Sequence, residues 1–219
     1  VQEYGADAAK ITTIHSLISK TTIDLFKQPN AIKNNKLKII SVGRFHWVKG
    51  YNIALDACKI LKEKQISFSY TILAAGKVPE ELLYQRNQLD LIEEVIFTDN
   101  LEQGKAFLKM QESSVLLLPS LKEGIANVVL EAMALGVPVI STDCGGMQEV
   151  IIPNETGWLV PVLDSEAIAN TLIEFNNTSN EKRNKIVNNA HSFVKNNFDT
   201  ATTISQFNEF YKGIYLDEF

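Results

Sequence analysis

Residues 115–131 read V-L-L-L-P-S-L-K-E-G-I-A-N-V-V-L-E, and the rest of the chain can be understood from them. The apolar run at 115–118 predicts a buried strand. Pro119 and Ser120 end that strand, and a polar loop with Glu123 and Gly124 follows. Asn127 is a favourable N-cap, and the apolar residues after it predict a buried helix. We therefore predict a strand, a loop and a helix in this order.

Two carboxylates in this stretch lie where an unpaired charge is costly. Glu123 follows the carboxyl end of the predicted strand, and Glu131 lies one turn into the apolar helix. Ligands of open α/β sheets bind beyond the carboxyl ends of the strands, and a helix start offers free N–H groups to a phosphate. The stretch is therefore a candidate site for a phosphorylated sugar or nucleotide. Alternatively, Glu123 is solvated, Glu131 pairs with a basic neighbour, and Asn127 is only a cap.

The rest of the chain repeats this alternation of strands and helices. Strands are predicted at 37–42, 68–75, 95–98, 115–118 and 137–141, with a short extended segment at 157–160. Helices are predicted after Gly50, at 79–91 and 101–110, after Asn127, and near 164–176, 181–195 and 201–215. Alternating strands and helices form βαβ units, so we predict an α/β fold with a doubly wound, Rossmann-like parallel sheet.

A second candidate anion site follows the first predicted strand. Gly43 allows a tight turn, and Arg44 and Lys49 place two cations in one loop before Gly50. A planar guanidinium and a mobile ammonium together suit a diphosphate, although both could equally be exposed surface cations. The loop has neither the G-x-G-x-x-G pattern of nicotinamide-binding proteins nor a Walker sequence.

Composition limits the classes of partner. The 219 residues carry a net charge of −5 without a basic stripe, which argues against binding of nucleic acid. Two cysteines favour reduced thiols in a cytoplasmic protein, and three scattered histidines show no metal-ligand spacing. The sequence has no apolar run as long as a membrane span. We therefore expect a cytoplasmic protein that binds neither a metal nor nucleic acid.

Four segments together resemble a known family. They are S-V-G-R-F-H-W-V-K-G-Y at 41–51, P-S-L-K-E-G-I-A-N-V-V-L-E-A-M-A-L-G-V-P-V-I-S-T-D-C-G-G at 119–146, G-M-Q-E-V-I at 146–151 and G-W-L-V at 157–160. In this order and context they resemble the C-terminal, donor-binding half of retaining glycosyltransferases with the GT-B architecture, the group-1 class or glycosyltransferase family four. The pattern of Glu, seven residues and Glu is formed by Glu123 and Glu131.

The resemblance implies a role for each residue that matches the family pattern. Arg44 and Lys49 would neutralise the diphosphate of a nucleoside-diphosphate sugar, and Glu123 would hold the sugar near its anomeric end. These three residues are the predicted catalytic group. Glu131 would accept hydrogen bonds from the ribose hydroxyls. The predicted donor-binding residues are Gly43, Gly124, Ile125, Ala126, Asn127, Val128 and Glu131. No metal is expected. No cofactor is expected either, because the nucleotide sugar is a substrate.

The resemblance also implies an organisation into parts. Residues 1–36 would be an interdomain connector with the first elements, and residues 37–196 would be the nucleotide-sugar-binding domain. Residues 197–219 would form a C-terminal helix that crosses toward a missing N-terminal, acceptor-binding domain. We expect its aromatic face to be partly exposed, with Phe198, Phe207, Phe210 and Tyr211 on it. Any peripheral contact with the inner face of the membrane would lie on the absent domain.

The predicted function is transfer of a hexose from a UDP- or GDP-sugar to an acceptor, in the synthesis of cell-surface polysaccharide or glycan. The isolated chain should bind the donor without useful turnover, because nothing in it orients the acceptor. Two alternatives have the same donor site. One is a non-catalytic module that binds nucleotide sugars or regulates, and the other is a nucleotide-sugar epimerase of the same architecture.

Overall fold

The computed structural model describes residues 11–29, 36–99 and 101–216. The predicted connector and first elements fall partly on residues 1–10 and 30–35, which lie outside the described residues. The sheet has six strands: β1 (Leu37–Arg44), β2 (Phe68–Ala75), β3 (Val95–Thr98), β4 (Val115–Leu118), β5 (Val139–Thr142) and β6 (Trp158–Val160).

Helices connect and flank these strands. They are α1 (Lys20–Ile23), α2 (Tyr51–Glu63), α3 (Glu80–Gln88), α4 (Gln103–Gln111), α5 (Asn127–Leu135), α6 (Ser165–Asn177), α7 (Asn180–Asn197) and α8 (Thr200–Leu216). Two short 3-10 helices, Trp47–Lys49 and Gly145–Glu149, follow β1 and β5. The alternation agrees with the predicted α/β, doubly wound, Rossmann-like fold.

The strand order places two loops side by side at one edge of the sheet. All paired strands are parallel, in the order β3-β2-β1-β4-β5-β6. The chain moves outward from β1 to β3, returns to β4 beside β1, and then continues in the opposite direction. The direction therefore changes between β1 and β4, which is where ligands of such sheets bind. The loops after β1 and β4 meet at this point.

Each face of the sheet is covered by its own apolar layer. Side chains of α2, α3 and α6 pack on one face, with Leu55, Leu61 and Phe175 fully buried. Side chains of α1, α4, α5 and α7 pack on the other, with Leu130 and Val194 fully buried. Each such side chain contributes about 1.5–3 kcal/mol by leaving water, so both layers hold the sheet edge rigidly.

The sequence predictions differ from the structure at both ends of α5. Asn127 was predicted as the N-cap, but the N-cap is Ala126, and Asn127 is the exposed first residue of the helix. At the other end, β5 begins at Val139 rather than at Val137. The Val137 N–H donates to the carbonyl of Ala132 at 2.8 Å, so Val137 belongs to the end of the helix.

The N-terminal part of the described chain packs against the C-terminal helices. The Ile18 N–H donates to the Phe198 carbonyl at 2.7 Å, and Ile18 forms an isolated parallel bridge with Asp199. Phe198 is buried in the core, so its predicted place on an exposed aromatic face is wrong. Phe207 and Tyr211 on α8 are indeed exposed.

Candidate functional site

An ion pair joins the loops that follow β1 and β4. Lys49 ends the first 3-10 helix, and its Nζ lies 2.7 Å from Oε1 of Glu123. The Lys49 and Glu123 side chains are only 17% and 15% exposed. The buried hydroxyl of Ser120 donates to the same Glu123 oxygen at 2.7 Å. Glu123 is therefore held by two donors, and its alternative as a freely solvated carboxylate is wrong.

Close backbone packing brings the β1 and β4 loops together. The Leu121 N–H donates to the Val48 carbonyl at 2.7 Å. Gly50 has a φ of 64°, and a Cβ on it would lie 2.0 Å from the carbonyl oxygen of Pro119. Only glycine fits at this contact, because the backbone conformation and the space both exclude a side chain. The position of Lys49 relative to Glu123 follows from this contact.

The loop after β5 holds Glu123 from the other side. Gly145 has a φ of 57°, and a Cβ on it would lie 1.7 Å from the Glu123 carbonyl oxygen. The Gly146 N–H donates to the Gly124 carbonyl at 3.2 Å. The paired glycines thus pack against the backbone that precedes α5, and the Glu123–Gly124 segment is clamped between two loops.

The start of α5 leaves its backbone donors open. Ala126 supplies no capping side chain, and the N–H groups from Gly124 to Val128 donate to no other group in the part of the chain that the structure describes. Unpaired N–H groups and the positive end of the helix dipole attract an anion. The predicted donor-binding residues Ile125 and Asn127 belong to this segment. The structure therefore places these unpaired backbone N–H groups next to the Lys49–Glu123 pair.

Glu131 lies on the second turn of α5, where it contacts the start of α4. The Nε2 of Gln103 donates to its Oε1 at 3.3 Å. Burial raises the pKa of the Glu131 carboxyl above its ordinary value, while the Gln103 hydrogen bond acts in the opposite direction. The alternative in which Glu131 pairs with a basic neighbour is wrong for the described residues, because the partner is a neutral amide. An ionised Glu131 keeps free acceptor sites for hydroxyl groups.

Arg44 and Gly43 lie at the end of β1. Arg44 is exposed and forms no ion pair or side-chain hydrogen bond with the described residues, so it stands outside the Lys49–Glu123 contact. A Cβ on Gly43 would lie 3.0 Å from the Tyr51 hydroxyl oxygen and 3.6 Å from Cε of Lys49. Gly43 therefore leaves room for the Tyr51 hydroxyl beside the end of the strand, whereas the distance to Lys49 is an ordinary van der Waals contact.

Three further residues contact the site without having been predicted from the sequence. Ser120 and Gln103 donate to the two glutamates, and Tyr51 lies beside Gly43. Burial, and then the negative charge of Glu123, raises the pKa of the Tyr51 phenol well above its ordinary value, so the hydroxyl stays protonated. Ser120 could have been found from its place at the strand end, three residues before Glu123. Nothing in the sequence points to Gln103.

Two features are absent from the described ranges 11–29, 36–99 and 101–216. No group of three or more His, Cys, Asp or Glu side chains there is arranged to hold a metal ion. No helix there combines the length and the apolar character needed to cross a bilayer.

Comparison with known sequences gives consistent results. Residues 22–193 match the family described as glycosyl transferases group 1. A putative colanic acid biosynthesis glycosyltransferase of Escherichia coli K12, WcaL, is 32% identical over 91% of this chain and 50% of its own length. The amylovoran biosynthesis glycosyltransferase AmsK of Erwinia amylovora is 34% identical over 77% of the chain and 42% of its own length. The chain thus spans about half the length of these curated relatives.

Solved structures share the fold. A glycosyltransferase from Rickettsia africae superimposes with a TM-score of 0.85 and 21% identity, over 97% of this chain and 59% of its own. The Anabaena protein Alr3699/HepE, solved in complex with UDP and glucose, superimposes with a TM-score of 0.81 and 20% identity, over 96% of this chain and 59% of its own. At these identities the likeness establishes the fold alone.

Proposed function

The chain belongs to the glycosyl transferases group 1 family, and from this premise we propose that it forms the donor-binding part of a retaining hexosyltransferase. The donor is a nucleoside-diphosphate sugar carrying UDP or GDP. The observation that carries the proposal is the contact between Lys49 and Glu123 beside the uncapped start of α5. One cation, one carboxylate and a row of backbone donors meet there, and these are the groups that a sugar diphosphate requires.

The proposed chemistry uses these groups against the charge that develops during transfer. When the bond between the anomeric carbon and the diphosphate breaks, negative charge collects on the leaving oxygens. Lys49, the exposed Arg44 and the N–H groups at the start of α5 stabilise this charge. Fixed cations and a helix terminus can do so without a metal ion, so we propose metal-independent transfer. Glu123 binds the sugar near its anomeric carbon, and Glu131 accepts hydrogen bonds from the ribose hydroxyls.

The proposed biological setting is synthesis of cell-surface polysaccharide in the cytoplasm, at the inner face of the membrane. It is supported by the relatives WcaL and AmsK, which are named as glycosyltransferases of colanic acid and amylovoran biosynthesis. Because those relatives are about twice as long as this chain, we propose that an N-terminal acceptor-binding domain completes the enzyme. Residues 37–196 then form the donor domain, and α8 crosses toward the partner domain. The exposed Phe207 and Tyr211 support that last assignment.

Thermal unfolding in the presence of nucleotides tests the donor site. UDP, GDP and ADP are added separately to the wild-type chain, Lys49→Ala and Glu131→Ala. A ligand at about 100 times its dissociation constant adds about 2.7 kcal/mol, which raises the melting temperature by several degrees. We expect one nucleotide to give this shift with the wild-type chain and a much smaller shift with both variants.

Two matched controls separate binding from general destabilisation. Lys109→Ala removes an exposed lysine that pairs with Glu112 at 3.1 Å on α4. Glu63→Ala removes an exposed glutamate at the end of α2. Both variants should keep the full nucleotide shift. The proposed donor site is contradicted if Lys49→Ala, Glu131→Ala and the two control variants all show the same nucleotide shift. It is also contradicted if no nucleotide stabilises the wild-type chain.

A further inference from the structure

A cavity of about 380 Å³ lies between the starts of α2 and α3, on the sheet face opposite α5. Its apolar lining includes Tyr51, Leu82 and Leu121, and Trp47 stands at its margin with 74% of its surface exposed. A volume of this size accommodates a ligand of one or two sugar rings. Neither glutamate of the candidate donor site lines it, so this cavity is distinct from the anion-binding start of α5.

The polar groups of this cavity favour a neutral, hydroxyl-rich ligand. The Gln85 Nε2 donates to the Asn52 carbonyl at 3.0 Å and to Asp56 at 2.8 Å, which leaves the Gln85 side-chain oxygen as an acceptor. His46 Nδ1 accepts the Val48 N–H at 3.3 Å, which leaves Nε2 as the ring nitrogen available to a ligand. The Asn52 amide and the Glu81 carboxylate also line the cavity.

The charge of the lining disfavours a phosphate group in this cavity. Among the described residues that line it there is no Lys or Arg, and Glu81 contributes a negative charge. A phosphate here would meet a carboxylate without a compensating cation, which is unfavourable. An aromatic platform with amide, imidazole and carboxylate groups instead matches a sugar ring, whose C–H face is apolar and whose rim carries hydroxyls.

We propose that this cavity binds a neutral sugar unit of the acceptor glycan, with Trp47 packing against the ring. This inference rests on the proposed function, because an acceptor exists only if the chain takes part in sugar transfer. The cavity adjoins the ion pair through two residues. Tyr51 lies between it and Gly43, and Leu121 is two positions from Glu123. An acceptor chain held here approaches the donor sugar from the opposite side of the β1 loop.

Saturation-transfer NMR on the full chain tests the site. The probes are four neutral disaccharides, namely maltose, cellobiose, lactose and N,N′-diacetylchitobiose, with glucose 6-phosphate as a charged comparison. We expect at least one neutral disaccharide to bind, and Trp47→Ala to weaken that binding about tenfold, the loss of one aromatic contact. Trp47→Phe keeps an aromatic face and should retain most of the binding. Glucose 6-phosphate should bind more weakly than the neutral sugars.

Matched controls locate the signal. Tyr84→Ala removes an equally exposed aromatic side chain from α3 that does not line the cavity, and it should leave saccharide binding unchanged. Intrinsic fluorescence gives a second readout, because the chain has two tryptophans and Trp158 is buried. Changes on saccharide addition therefore report on Trp47.

The outcomes separate this inference from the proposed function. It is overturned if no neutral disaccharide binds, if Trp47→Ala binds the saccharide as tightly as the wild type, or if UDP displaces the saccharide from a shared site. Nucleotide stabilisation measured on the same samples decides the other question. Saccharide binding without nucleotide stabilisation would support a saccharide site in the cavity but contradict the donor site, and with it the role as acceptor site. The reverse result would contradict the cavity alone.

Discussion

Helices α5 and α7 pack against each other but begin in different ways. At α7, the Ser179 side chain accepts the Lys182 N–H at 3.2 Å. The helix before it, α6, begins similarly, because Asp164 accepts the Ala167 N–H at 2.7 Å. At α5 the corresponding position is Ala126, which has no side-chain acceptor. A capping side chain is worth about 1 kcal/mol, so α5 lacks a stabilisation that the other two helices have.

The start of α5 is held in place by its surroundings instead. Gly50 and Gly145 let two neighbouring loops pack directly on the backbone of residues 119–124, and Lys49 and Ser120 fix Glu123. These contacts position the backbone without using the N–H groups that follow. The difference between α5 and α7 therefore separates a helix start that serves stability from one whose donors remain available to a ligand.

The largest expected effect comes from breaking the packing that replaces the cap. In Gly145→Ala the new Cβ would overlap the Glu123 carbonyl oxygen, and alanine is strained at a φ of 57°. We expect the free energy of unfolding to fall by about 3 kcal/mol. Urea denaturation measures it. Gly124→Ala is the matched control, because a Cβ there meets nothing within 4 Å. Equal stability of the two variants would contradict the clamp.

The ion pair should show the next largest effect. Lys49→Ala leaves the shielded Glu123 carboxylate with the Ser120 hydroxyl as its remaining described side-chain partner. We expect a loss of about 1–3 kcal/mol in the free energy of unfolding, because a desolvated charge without its counterion is costly. In Lys49→Ala/Glu123→Ala that charge is absent, so the double variant should be less destabilised than the sum of the two single variants. Strict additivity in this double-mutant cycle would show that the pair is not coupled.

A smaller effect should follow from giving α5 the cap that α7 has. Ala126 has extended backbone angles that suit an N-cap serine, so Ala126→Ser should raise the free energy of unfolding by about 0.5–1 kcal/mol. Ser179→Ala at α7 should lower it by a similar amount. Ala126→Ser should also weaken nucleotide stabilisation, because its hydroxyl occupies an N–H group that would otherwise bind phosphate. Stronger nucleotide binding in Ala126→Ser would contradict the role assigned to the open N–H groups.

The same contrast explains which parts of the fold were predictable. The strands at 68–75, 95–98 and 115–118 agree with the structure residue for residue, because runs rich in apolar, aromatic and β-branched residues between polar turns leave few alternatives. The start of α5 did not follow from the sequence. Asn127 has the stronger capping propensity, but packing of the adjacent loops places Ala126 at the cap and turns Asn127 outward. Tertiary contacts overrode local preference there.

The candidate site was predictable only where the order of strands, loops and helices along the chain places a residue. The places of Glu123 and Glu131, after a strand and in the helix that follows, were predicted from the sequence, as was the place of Lys49 in the loop after β1. Their roles in donor binding stay predictions. The contacts of Ser120 and Gln103 join residues through side-chain orientation across different elements, which no periodic pattern encodes. Arg44 shows the opposite case, since its sequence context resembles that of Lys49 while its side chain lies outside the ion pair.

The smallest expected effect concerns Glu131, which lies beyond the open start of α5. Its pKa is raised by burial, so the folded chain holds the Glu131 proton more tightly than the unfolded chain. This tighter binding of the proton stabilises the folded chain at pH values below about 4.3, the pKa of a glutamate in the unfolded chain. The stabilisation is lost as the pH rises through the pKa of Glu131 in the folded chain. In Glu131→Gln this loss is absent.

The free energy of unfolding of Glu131→Gln, relative to the wild type, should therefore increase from about pH 4 toward neutrality. Urea denaturation at a series of pH values measures the difference, and Gln103→Ala provides an internal check. Removing the Gln103 hydrogen bond raises the Glu131 pKa further, so the pH-dependent loss should extend to higher pH in that variant. A pH-independent difference would show that burial of the carboxylate has no cost. The same carboxylate is proposed to bind ribose, so Glu131→Gln should combine higher stability at neutral pH with weaker nucleotide binding. The same combination is expected of Ala126→Ser at the cap.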